Sequence, residues 1–90
     1  MANEPYELRM TPNAKRDIRR LEKDVAQRIM LKLLDKAENA TTTKHKALKG
    51  EMRGLYSLRV GSYRALFLLK HDERLLVVEK IGHRRDVYEE

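Results

Sequence analysis

The stretch Leu55–Leu69, LYSLRVGSYRALFLL, decides the fold. Tyr56, Leu58 and Val60 alternate with Ser57 and Arg59, which is the two-residue period of a half-buried strand. Gly61-Ser62 then supplies a two-residue turn, with glycine at the first central position as a type II′ turn requires. A turn of that length sets the register: Val60 faces Tyr63, and Arg59 faces Arg64. Tyr56, Leu58, Val60, Tyr63, Ala65, Phe67 and Leu69 share one face, the expected core side. Arg59 and Arg64 stand side by side on the other. Like charges directly opposite each other destabilise a sheet, so this pair carries a cost unless an acidic side chain or an anion lies between them.

Upstream of the hairpin, Tyr6, Leu8 and Met10 alternate with Glu7 and Arg9, which predicts a first strand over Pro5–Met10. Thr11-Pro12 is a helix start, with threonine as N-cap and proline at the first helical position. Ala14, Ile18, Leu21 and Val25 recur at spacings of four, three and four, an amphipathic stripe with Lys15, Arg16, Arg19, Arg20 and Lys23 on its other side. Asp24 is a candidate cap for a second helix reaching about Asn39, with Val25, Ile29, Leu33 or Leu34, and Ala37 facing inward. The short joint between the helices predicts a helical hairpin. Lys44–Gly54 reads as a basic loop, carrying Lys44, His45, Lys46, Lys49 and Arg53 against a lone Glu51. After the β-hairpin, His71–Arg74 turns the chain into a further strand over Leu75–Ile81, which Gly82 is expected to stop. The expected architecture is one α+β domain over residues 1–90: a strand, a two-helix hairpin, then three consecutive antiparallel strands, with the helices packed on one face of the sheet.

Composition narrows the partners. Ninety residues fit one small domain, and 41% hydrophobic residues suffice for one modest core. The net charge of +6 favours an anionic partner, either nucleic acid or an acidic protein. With no cysteine there is neither a disulfide nor a thiolate metal site, and the three histidines, at 45, 71 and 83, fall on different elements, so no metal or cofactor is expected. The N-terminus lacks an apolar signal core and no run approaches a membrane-spanning length, so a cytoplasmic location without a membrane partner is expected. Aromatic residues make up only 6%, which argues against extended stacking along single-stranded nucleic acid.

The order of elements, together with LKG at Leu48–Gly50, YSLRVGSYRALF at Tyr56–Phe67 and IGHRRDVY at Ile81–Tyr88, resembles RelE-type toxins of the RelE/ParE superfamily over nearly the whole chain. The resemblance implies a ribosome-dependent endonuclease that cuts mRNA through the RNA 2′-hydroxyl, and an acidic RelB-like antitoxin that restrains it. It implies that Arg64 clamps the scissile phosphate, for which a forked, permanently charged guanidinium is suited. Arg84 would be a second catalytic arginine, and Tyr88 would stack on a base or orient the 2′-hydroxyl. Arg59 and Ser57 fall where well-known members carry lysines. A lysine can shed its proton and act as base, whereas arginine effectively cannot, so the general base is open. Histidine ordinarily titrates near pH 6.5, which makes His83 an acid/base candidate. Glu79, expected on the arginine face, is a weaker one. Lys44, Lys46, Lys49, Arg53 and Arg85 would contact ribosomal RNA phosphates without reading sequence.

Each of these residues also has a plainer reading. Arg59 and Arg64 could pair with Glu79 as a structural ion cluster, Tyr88 could be a packing residue, His83 a solvated loop residue, and the lysines a solvated basic loop. Two further functions fit the fold: non-enzymatic inhibition of DNA gyrase, as in ParE-like members, or a basic RNA- or protein-binding module without activity.

Overall fold

The computed structural model describes residues 5–41, 46–47, 54–83 and 85. The elements run β1 (Glu7–Met10), α1 (Pro12–Arg19), α2 (Lys23–Glu38), β2 (Lys46–Ala47), β3 (Tyr56–Val60), β4 (Tyr63–Lys70) and β5 (Leu75–His83). The described strands form one sheet in the order β1-β5-β4-β3-β2. β3, β4 and β5 are successive antiparallel neighbours, and β1 joins the far side of β5 in parallel. This is the α+β architecture expected from the sequence. No described helix is long and apolar enough to cross a membrane.

The β3–β4 hairpin has the register its turn demands, with Val60 opposite Tyr63 and Arg59 opposite Arg64. Gly61 takes φ +60 while Ser62 stays out of the left-handed region, as a type II′ turn requires. On the core side, Leu58, Val60, Ala65 and Phe67 are buried, and Tyr56 stacks on Phe67 with ring centroids 5.7 Å apart. α2 supplies Ile29, Leu33 and Ala37 to this core, and β5 supplies Leu76, Val78 and Ile81. Complete burial of a Phe, Leu or Ile side chain stabilises by about 1.5–3 kcal/mol. Of the two leucines the helical period left open, Leu33 is inside and Leu34 is 48% exposed.

α1 starts as its sequence dictates. Thr11 is the N-cap, its hydroxyl accepting from the Ala14 N–H at 3.1 Å, and Pro12 occupies the first turn. The same threonine ties the helix to the sheet: its N–H donates to Val78 O at 3.0 Å and its hydroxyl to Glu79 O at 3.2 Å. β1 pairs with β5 only as far as Val78, so the β5 groups beyond it need other partners. Thr11 takes the Glu79 carbonyl, and Asp17 Oδ2 accepts from the Ile81 N–H at 3.0 Å. The side chains of Thr11, the N-cap, and of Asp17 in α1 thereby continue the edge that β1 leaves unfinished.

Several expected boundaries are corrected. The first strand begins at Glu7, while the Tyr6 N–H donates to Ala37 O at the end of α2. α2 begins at Lys23 with Glu22 as N-cap, so Asp24 does not cap it but lies in the first turn, where a negative charge complements the helix dipole. Lys46 and Ala47 are not loop residues: they pair with Ser57 and Tyr56 on the edge of β3. β5 does not stop at Gly82 but continues to His83, with Gly82 opposite Arg64. Finally, the β4–β5 register shifts between Leu66 and Phe67, and this bulge leaves Glu79 without a cross-strand partner.

Candidate functional site

A two-residue turn is closed by a hydrogen-bonded pair, so the next pair outward, Arg59 with Arg64, is of the closely spaced kind. Arg59 is exposed and Arg64 half-buried, with its Nη1 donating to the Tyr63 carbonyl at 3.3 Å. No described carboxylate pairs with either guanidinium, and the one ion pair among the described residues is Arg9–Glu7, on β1. The bulge removes Glu79 from the position expected beside the arginines and puts Lys80 opposite Leu66, a register position on their face. The Arg59–Arg64–Glu79 cluster is therefore not formed. Gly82, opposite Arg64, adds no side chain to shield it. Ser57 lies one step along this face from Arg59 and is buried, with only 9% of its surface exposed.

At the hairpin's turn end, Arg59, Gly61, Ser62, His83 and Arg85 surround a shallow depression of about 400 Å³. His83 is exposed at the end of β5. Its Nδ1 accepts from the Arg85 N–H at 3.4 Å, which leaves the proton of the neutral ring on Nε2. Its register partner is Tyr63, and the two rings meet edge to face, with centroids 5.7 Å apart and planes at 74°. The sheet register thus assigns His83 to the helix side and the arginine pair to the other side. Only around the open end of the sheet do Arg59 and His83 border one space.

Of the sequence candidates, Arg59, His83 and Arg85 come together around this depression, with Arg64 beside Arg59. Lys46 is placed in β2, and its side chain lies outside the described residues, as do Lys44, Lys49, Arg53, Arg84 and Tyr88. Two residues emerged only from the structure. Asp17 holds the Ile81 N–H, and Arg20, at the C-terminal cap of α1, borders a second depression with Tyr63 and His83. Neither carried a sequence signal beyond belonging to a charged helix face. Chemically, the arrangement offers permanent cations on an open surface beside one titratable ring. Such a set can bind a phosphodiester and neutralise charge that builds on its oxygens.

The comparisons agree with this architecture. A family model described as the ParE toxin of the type II toxin–antitoxin system parDE matches residues 8–88. Toxin RelG of Mycobacterium tuberculosis is 27% identical over 84 residues, which cover 93% of this chain and 97% of RelG. A chain of the crystal structure of the RelBE2 toxin–antitoxin complex from the same organism superposes with a TM-score of 0.81 at 26% identity, covering 92% of this chain and 95% of that one. A chain of the intact Escherichia coli RelBE complex shares the fold, with a TM-score of 0.74 at 24% identity over 87% of this chain and 95% of that one. The chain belongs to the ParE toxin family of type II toxin–antitoxin systems, within the RelE/ParE superfamily.

Proposed function

We propose that this toxin is a ribosome-dependent endoribonuclease that cuts mRNA and so halts translation in the cytoplasm, with residues 1–90 acting as one RelE-like domain. The observation that carries the reading is the Arg59–Arg64 pair, two arginines at opposing register positions of the hairpin with no described carboxylate paired to either. A phosphodiester removes the repulsion such a pair would otherwise suffer.

In the reaction the 2′-oxygen forms a bond to phosphorus as the bond to the next nucleotide's 5′-oxygen breaks, leaving a cyclic 2′,3′-phosphate. The 2′-hydroxyl gives its proton to solvent water and the departing 5′-oxygen gains one from a side chain. Arg64 holds the phosphoryl oxygens and Arg59 shares the charge that develops on them. His83, in its doubly protonated imidazolium form, donates to the leaving oxygen and returns to the neutral ring, and Arg84 assists there. Tyr88 stacks on a base, which fixes the in-line geometry. Arginine does not serve as a base at working pH, so much of the rate must come from alignment. That accounts for a dependence on the ribosome, where Lys44, Lys46, Lys49, Arg53 and Arg85 hold ribosomal RNA phosphates. An acidic RelB-like antitoxin masks the same cations, in keeping with the net charge of +6.

A second reading, inhibition of DNA gyrase without catalysis, is favoured by the ParE description of the matching family. Induced expression with parallel labelling separates the two. Amino-acid incorporation is expected to stop first while thymidine incorporation continues. Early arrest of thymidine incorporation alone would establish the gyrase reading instead.

A further inference from the structure

The second depression, of about 350 Å³, lies on the helix side of the sheet end, between the C-terminal end of α1 and the last residues of β5. Its walls include Arg20, Tyr63 and His83, and Asp17 is also part of its lining. His83 borders the depression next to Arg59 as well, so the two spaces adjoin around this one ring. Resting on the nuclease reading above, we infer that the helix-side depression is a subsite for the nucleotide next to the cleaved linkage. Its base lies against the Tyr63–His83 pair and its phosphate is held by Arg20.

Three observations support this assignment. The Tyr63 and His83 rings meet edge to face at 5.7 Å, and His83 is exposed, which leaves aromatic surface open to a base. Arg20 is exposed, and no described carboxylate pairs with it. Asp17, the one acidic residue in the lining, spends an oxygen on the Ile81 N–H, so it is held against β5 as part of the framework. A polyanion bearing flat bases could therefore pass from the arginine face around the Gly61-Ser62 turn and meet a cation and an aromatic pair in succession.

The test uses ribosome-bound messages carrying a single neutral methylphosphonate linkage, moved one position at a time away from the scissile bond. Apparent affinity is measured under single-turnover conditions for the parent protein, Arg20→Ala and Arg20→Lys. The parent should lose about tenfold at one position next to the cleaved linkage, the scale of a hydrogen bond to a charged group. Arg20→Ala should lose a similar factor on the all-phosphate message and nothing further at that position, because the contact is already gone. Arg20→Lys should keep the parent's positional pattern. Independent, additive losses, or an Arg20→Ala protein that behaves as the parent on every message, overturn the subsite while leaving the nuclease reading intact. A parent that cleaves no message overturns the nuclease reading and the subsite with it.

Discussion

Arg64 carries two opposed demands. It is half-buried and bonds the Tyr63 carbonyl at 3.3 Å, yet its register partner is a second arginine, Arg59. The bond is long and the repulsion is relieved by truncation, so the two nearly cancel. Arg64→Ala should change the stability of the free protein by no more than about 0.5 kcal/mol, as for surface positions that hold no structural network. The midpoint of a urea melt checks this. A loss of several kcal/mol would make Arg64 a structural residue.

α1 and β5 are joined by side chains rather than by a ladder. Asp17→Ala leaves the Ile81 N–H without its acceptor at a partly covered site and should cost about 1–3 kcal/mol. Asp17→Asn keeps an oxygen there and should cost less, and chemical denaturation of the two variants compares them. What could be read in the sequence follows the same division between local and distant causes. The hairpin was legible because its period and its turn glycine are neighbours in the chain, and the start of α1 because Thr11-Pro12 is a local signal. β2 was not, since two residues make no period and Lys46-Ala47 has little strand preference; its pairing is imposed by the open edge of β3. Nor was the bulge at Glu79, which coincides with the place where the outer neighbour of β5 changes from β1 to Thr11. Gly82 misled for a related reason. Glycine weakens a strand locally, but β4 is long enough to hold β5 through to His83. In the candidate site, the arginine pair followed from register alone, whereas the position of His83 depended on where β5 ends, and Arg20 gave no signal until α1 was docked.

The whole molecule is a small basic toxin, and under the proposed nuclease reading its chemistry depends on where an RNA strand is laid. Its charge of +6 attracts polyanions in general. Under that reading, cleavage requires one linkage to be held in line between Arg64 and a proton donor. A single experiment addresses this: single-turnover incubation of ribosome-bound message with excess parent protein and, in parallel, with Arg64→Ala, resolving both the rate and the chemical end of the product. The account predicts cleavage by the parent that leaves a 2′,3′-cyclic phosphate, and a loss of about 10²–10³ in rate for Arg64→Ala, the scale of removing one donor to a transition-state oxyanion. An intact message with the parent protein, or an Arg64→Ala protein that cuts at the parent rate, would contradict it.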